Sequence, residues 1–267
     1  MHGMWRKNFT GRQVLLQVRG EDKQLDMLFN KGKKYCGRRI GDYRIIGRIG
    51  EGRYGVCFLA VKNREKVILK KVKPHIFHWN KRKNSCEIQI LSELCHPGVP
   101  KLFGVVDEKG FNGLVLEQKS GETIEQLLFK HKHGFMNPEI LNIGNQLIGI
   151  IKYLHEKGIV HRDIRIPNVL LDGDTISLVD FGLARWVDHK RYTKDIDFSY
   201  LGDFLLYLLY STYRKVNHRS RPWYEELPLT SEQKLFLKRL LKIEPPYSDA
   251  DQIADDFQKA FSYDKEV

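Results

Sequence analysis

Three residues in one short stretch have the types and the spacing for metal and phosphate chemistry. Residues 160–182 read VHRDIRIPNVLLDGDTISLVDFG and hold Asp163, Asn168 and Asp180 in short polar words framed by apolar residues. Between those words, VLL (169–171) and ISLV (176–179) have the character of short strands, and Asp172-Gly173-Asp174 that of a tight turn. The expected order is loop, hairpin, loop, which brings both acids and the carboxamide to one end. Two carboxylates and a carboxamide converging on one point suit a hard cation such as Mg²⁺ with phosphate attached.

Such a site needs elements to hold it and to present a phosphate to it. Residues 42–73 (DYRIIGRIGEGRYGVCFLAVKNREKVILKKVK) predict three consecutive strands with a glycine-rich hairpin after the first. Gly50-Glu51-Gly52-Arg53-Tyr54-Gly55 fits G-x-G-x-x-G, in which glycines let backbone amides approach phosphate without side chains in the way. A dinucleotide-binding turn would lead into a helix, whereas strand patterning follows here. A helix is expected over 83–94, with Ile88, Leu91 and Leu94 on one face. A second, long and amphipathic, is expected over 137–158, with Pro138 near its start and Gly158 at its end. The stretch FSYLGDFLLYLLYS (198–211) is apolar nearly all round, as a buried central helix should be.

Composition narrows the class. The chain has 267 residues, 42% of them hydrophobic, ample for a real core. Its net charge of +12 favours acidic partners such as nucleotide, nucleic acid, acidic protein or anionic lipid, without choosing among them. Lysine and arginine cluster at 31–39, 62–73, 81–83, 185–194 and 214–221, a footprint that nucleic acid could use, although no stacking or recognition-helix signature accompanies it. Cys36, Cys57, Cys86 and Cys95 show no C-x-x-C pair and no zinc spacing, as expected for reduced thiols. No apolar run reaches the length of a spanning helix, and the start lacks the apolar core of a signal peptide. The expectation is a soluble, cytoplasmic protein with no membrane span.

The words His161-Arg162-Asp163 with Asn168, and Asp180-Phe181-Gly182, resemble the catalytic and metal loops of Hanks-type protein kinases. Either word alone is a weak signal; both, in order and one hairpin apart, are a strong one. The resemblance spans about residues 42–260 and implies an α+β, bilobal protein-kinase-like fold. Its small β-rich N-lobe (41–118, hinge included) would carry helix C, and its larger, mainly α-helical C-lobe would run over 119–267. Residues 1–40 have no counterpart in the minimal domain; they predict a hairpin (14–18 and 25–29) that packs on the first lobe, or else a docking or anion-binding appendage.

The resemblance also implies roles. Lys70 would hold the α- and β-phosphates of ATP and pair with Glu87 of helix C. Gly50 to Gly55 (Gly50, Glu51, Gly52, Arg53, Tyr54, Gly55) would cover the phosphates. Leu116 would be the gatekeeper, and the backbone from Glu117 to Lys119 would bond the adenine edge. Asp163 would orient the acceptor hydroxyl and take its proton, Arg165 would neutralise the γ-phosphate, and Asn168 and Asp180 would hold Mg²⁺, or Mn²⁺ in its place. The implied activity is ATP-dependent phosphorylation of serine or threonine on protein substrates, the chain itself included.

Three departures qualify the pattern. Cys57 and Ile68 stand where the family keeps valine and alanine over the adenine, and the bulk of Ile68 predicts weak or unusual nucleotide affinity. Arg165 replaces the lysine usual in serine/threonine kinases, and the two are not interchangeable. The helix-F word begins at Asp197, only 17 residues after Asp180, with no A-P-E between and no arginine after Pro245. This leaves no room for a full activation segment, and Arg162 would lack the phosphorylated partner it has elsewhere in the family. The short form is similar to the small kinases of spore-forming bacilli. The competing readings are an ATPase or small-molecule kinase of related fold, and a nucleic-acid-binding regulator that uses the kinase fold as a scaffold.

Overall fold

Alternation of apolar and polar side chains decides the first half of the molecule. The computed structural model describes residues 35–51, 55–72, 81–108, 110–188, 190–214 and 221–262, without the side chains of 81–85. The hairpin expected over 14–29 lies outside the described residues. The chain falls into two compact units that divide between Ser120 and Gly121.

The first unit is a six-stranded antiparallel sheet. Its strands are β1 (Arg39–Ile40), β2 (Tyr43–Glu51), β3 (Gly55–Lys62), β4 (Glu65–Val72), β5 (Leu102–Glu108) and β6 (Phe111–Glu117), in the order β1-β2-β3-β4-β6-β5. A side-chain period of two sends Phe58, Ala60, Val67, Leu69 and Val115 into one core with Ile40, Ile45 and Phe111. The same period gives the other face to Cys57, opposite Lys70, and to Ile68, opposite Leu116. Helix α1 (Lys81–Glu93) buries Glu87, Ile90 and Leu91, and Leu94 just beyond its end. Ile88, expected on that face, is half-buried. The buried stripe runs i, i+3, i+4, i+7 from Glu87, so Ile90 takes the place expected for Ile88.

The second unit is mainly helical. It comprises β7 (Glu122–Thr123), α2 (Ile124–Phe129), α3 (Asn137–Glu156), β8 (Ile159–Val160), β9 (Val169–Asp172), β10 (Thr175–Leu178), β11 (Arg185–Trp186), α4 (Asp195–Tyr210), α5 (Trp223–Glu226), α6 (Ser231–Leu240) and α7 (Ala250–Phe261). Thr123 starts α2 with a capping box closed by Gln126. Along α3, Ile140, Ile143, Leu147, Ile151 and Leu154 are buried at helical spacing. Nearly every side of α4 is buried, as its apolar sequence requires. Strands β9 and β10 form the expected hairpin, with Leu171 opposite Ile176 and Val169 opposite Leu178. Among the described residues, no helix is long and apolar enough to cross a membrane.

Helices α3 and α7 meet where Gly144 leaves room for Phe257. A Cβ on Gly144 would stand 2.2 Å from Cζ of Phe257, whose ring is fully buried and packed on Phe261 with centroids 4.7 Å apart. Gly144→Ala gains about 1 kcal/mol of helix propensity but overpacks the contact by about 1–3 kcal/mol. The expected result is a lower midpoint in urea, partly restored by Phe257→Leu in the same chain.

Candidate active site

The catalytic word lies on the loop between β8 and β9, and every polar group of its central acid is engaged. Arg165 forks onto Asp163, donating from Nε to Oδ1 at 2.5 Å and from Nη2 to Oδ2 at 3.1 Å. Asn168 donates from Nδ2 to the same Oδ2 at 2.8 Å and to the Asp163 carbonyl at 2.9 Å. Asn168 therefore points its amide hydrogens at Asp163 and keeps Oδ1 as its remaining acceptor. The backbone N–H of Val179 donates to the Asn168 carbonyl at 2.8 Å, which ties the residue before Asp180 to this loop. Asp180 itself sits at φ +64, its carboxylate accepting from the Gly182 amide at 3.3 Å. Hence the hairpin does bring Asp163, Asn168 and Asp180 together, as its sequence predicts, with Arg165 bonded to Asp163.

That donor set tests the fit of a metal. Oδ1 of Asn168 and the carboxylate of Asp180 are hard oxygen donors, with no thiolate or imidazole between them. Two protein ligands of this kind, with phosphate oxygens and water completing the shell, suit Mg²⁺ rather than a structural transition-metal site. Among the described residues no cluster of three His, Cys, Asp or Glu side chains could hold an ion without such help.

What fixes the loop is Asp197, a fully buried carboxylate on α4. Its Oδ1 accepts the Arg162 amide at 2.7 Å, and its Oδ2 accepts the His161 amide at 2.8 Å and Nε2–H of His155 at 3.0 Å. Arg162 is thereby held at φ +67, a conformation that costs a non-glycine residue on the order of 1–3 kcal/mol. His161 is fully buried as well. Its Nδ1 accepts the Asp163 amide at 3.3 Å, and its ring meets Phe181 edge-on at 4.7 Å. The sequence placed Asp197 as a landmark only, one of three acids in an otherwise apolar helix, with no local signal to single it out. His155 was missed altogether, because α3 reads as scaffold.

The first unit holds the other expected group. Lys70 Nζ donates to Glu87 Oε1 at 2.7 Å, with both residues buried. Lys70 and Cys57 face each other across β3 and β4, and Ile68 and Leu116 across β4 and β6. A Cβ on Gly55 would stand 2.6 Å from the Lys71 carbonyl, so the sheet itself requires that glycine; one on Gly50 would meet nothing within 4 Å. Glu51, at the end of β2, pairs with Arg48. Gly52, Arg53 and Tyr54 lie outside the described residues. In the hinge stretch, the Glu117 amide donates to the Lys101 carbonyl at 2.9 Å, and the Glu117 carboxylate accepts from Lys119 Nζ at 2.9 Å and the Lys101 amide at 3.0 Å. Lys71, in the basic cluster 62–73, is half-buried, its ammonium 5.2 Å from the Tyr35 ring centroid and 5.5 Å from that of Phe111.

Comparison with known proteins agrees with this geometry. The sequence pattern of the protein kinase domain matches residues 43–203. The "Probable serine/threonine-protein kinase YbdM" of Bacillus subtilis is 36% identical over 230 residues, 82% of this chain and 89% of that protein. A "Probable serine/threonine-protein kinase" of Dictyostelium discoideum is 32% identical over 152 residues, 55% of this chain but 29% of its own length. The "Cyclin-dependent kinase F-4" of Oryza sativa is 30% identical over 147 residues, 54% of this chain and 32% of its own length. The chain thus spans most of the bacterial relative and about a third of the two eukaryotic ones. It belongs to the protein kinase family, with the bilobal α+β fold of its Hanks-type members, and the family uses ATP with a divalent metal.

Burial holds the His161 imidazole below its ordinary 6.5, outweighing the nearby Asp197, Asp163 and Asp180 carboxylates, so the ring is neutral in the fold. The unfolded chain takes up this proton first as pH falls. The contribution of His161 is therefore complete above about pH 6.5 and declines as pH drops below it. Thermal midpoints should fall between about pH 6.5 and pH 5, before the carboxylates titrate. His161→Phe, which keeps a ring against Phe181, should flatten that decline.

Proposed function

We propose that this chain transfers the γ-phosphate of ATP, with Mg²⁺ (or Mn²⁺), to serine or threonine hydroxyls of proteins, itself included, in the cytoplasm and without a full activation segment. The observation that carries this is Asp163, a buried carboxylate positioned by Asn168 and flanked by the metal-type oxygens of Asn168 and Asp180. Residues 41–118 would serve as the nucleotide-holding lobe and 119–267 as the catalytic lobe, with 1–40 as an extension.

In this reading Lys70, steadied by Glu87, holds the α- and β-phosphates, and Gly50 and Gly55 begin and end the strand turn that covers them. Cys57, Ile68 and Leu116 form the apolar surface for adenine. The Glu117 amide is already committed to Lys101, so its carbonyl and the backbone at Lys119 remain for the base edge. Asn168 and Asp180 would hold the metal, which supplies charge neutralisation at the transferred phosphoryl group. Asp163 accepts the proton of the attacking hydroxyl. Both of its oxygens are bonded to Arg165, whose side chain is 56% exposed and free to swing away as the proton arrives at Oδ1, which keeps one lone-pair site. The γ-phosphate is the natural anion for the freed guanidinium.

The short run from Asp180 to α4 favours one other reading, an ATPase or small-molecule kinase, because little chain is left to seat a peptide. Labelled ATP with a generic basic protein and phosphoamino-acid analysis separates the two. Phosphoserine or phosphothreonine, reduced about 10²–10⁴-fold by Asp163→Asn, supports the proposal; phosphate released only to water supports the ATPase, and no turnover refutes both. Lys70→Met and Glu87→Gln should each cut transfer strongly. Arg165→Lys should retain more activity than Arg165→Ala, since a cation survives in it.

A further inference from the structure

We infer that Tyr192 is a positioning residue for the catalytic loop, its ring standing on the guanidinium of Arg162, so that phosphoryl transfer needs no modification of the segment between Asp180 and Asp195. The inference rests on the proposed transfer reaction and concerns how its loop is kept in place.

Arg162 is half-buried, and its backbone is already strained at φ +67. Its guanidinium needs compensation for the water it has lost. Among the described residues no carboxylate pairs with it. It has instead the Leu183 carbonyl, to which Nη1 donates at 3.0 Å, and the face of Tyr192, with the ring centroid 4.5 Å from Cζ. Arg191 lies over the same ring at 5.4 Å, so two cations share one π system.

The pose of Tyr192 is set by its backbone. Oδ1 of Asp188 accepts the amides of Lys190 (3.0 Å), Arg191 (2.7 Å) and Tyr192 (2.7 Å), and the Asp188 amide donates to the Tyr192 carbonyl at 3.2 Å. These amide bonds, that of Tyr192 foremost, hold the Asp188 carboxyl below its usual range. The segment is pinned on either side of this turn. β11 pairs with β8, the Val187 amide donates to Gly158 at 2.8 Å, and Asp195 at the start of α4 is paired with Lys242. A neutral aromatic ring, delivered by a closed turn, thus does for Arg162 what an added anion could do elsewhere.

The test compares wild type, Tyr192→Phe and Tyr192→Leu, each phosphatase-treated and shown by mass spectrometry to carry no phosphate on residues 181–194. We expect full activity in the unmodified wild type and in Tyr192→Phe. In Tyr192→Leu, kcat should fall about tenfold, the scale of a partly desolvated cation–π contact, with KM for ATP and the melting midpoint unchanged. Amide hydrogen exchange over residues 159–165 should rise in Tyr192→Leu alone; this readout needs no ATP. Wild-type kcat in Tyr192→Leu, unaltered exchange there, a Tyr192→Phe chain as impaired as Tyr192→Leu, or loss of wild-type activity on dephosphorylation would each overturn the inference. An inactive wild type whose Tyr192→Leu variant still loosens the loop would refute the transfer reading and leave the positioning role standing.

Discussion

One carboxylate without water holds the catalytic loop. Asp197 is completely buried in α4 and accepts three N–H groups, two of them backbone amides of the residues that precede Asp163. A buried anion is costly, and removing a partner from one typically costs about 3–5 kcal/mol. Here the donors come from α3 and from the loop itself, so satisfying the charge forces those parts into one arrangement. The left-handed backbone at Arg162 is the local cost of that arrangement. It is tolerable because a charge-assisted hydrogen bond contributes about 1.5–3 kcal/mol, comparable to the strain it offsets. The apolar surround of α4 is therefore part of the site, since it keeps water from competing for Asp197.

The same logic appears wherever the chain departs from the family pattern. The segment after Asp180 is too short to carry the usual closing ion pair, and the late arginine that would complete it is missing as well. Two other pairs stand in this region. Asp195, at the start of α4, is bonded to Lys242 just past α6; burial alone would raise its carboxyl, but the bonds from Lys242 and Thr193 outweigh that and hold it low. Arg239 donates to Asp256 at 2.8 Å and lies 3.8 Å from the Tyr247 ring centroid, while the Tyr247 hydroxyl donates to Asp256 at 3.0 Å. Burial and the Asp256 carboxylate push the Tyr247 phenol well up, so it stays a donor throughout the working range. The chain thus lacks both members of that pair, while these contacts tie α4 to the end of α6 and α6 to α7.

Much of this was legible in the sequence, because its strongest signals are local. The polar words at 161–168 and 180–182 sit on either side of a hairpin whose turn residues are unambiguous, so their convergence follows from β geometry alone. The placing of Cys57 and Ile68 over the nucleotide, and the pairing of Lys70 with Glu87, came from the kinase resemblance rather than from the periodicity of 42–73 or 83–94. The misses are of another kind. Ile90 takes the place of Ile88 on the buried face, which Glu87 shares through its contact with Lys70. His155 gave no sign because its function depends on a partner 42 positions away. The stack of Arg162, Tyr192 and Arg191 joins two loops whose composition looks merely basic and exposed.

Arg165 shows why a conservative-looking exchange matters here. A lysine at this position could meet one carboxylate oxygen as a point charge. The guanidinium meets both oxygens of Asp163 at once, in the bidentate geometry only arginine offers. With Asn168 also on Oδ2, three donors face the Asp163 carboxylate, and one lone-pair site remains, on Oδ1. Both oxygens of the resting acid thus carry a donor, and a competing anion is what would draw the exposed Arg165 away. A phosphate carried next to Asp163 has that property, whereas water does not, being neutral and a weaker acceptor. Arginine at 165 therefore sets two geometrically fixed donors against the acid, where a lysine would place one point charge.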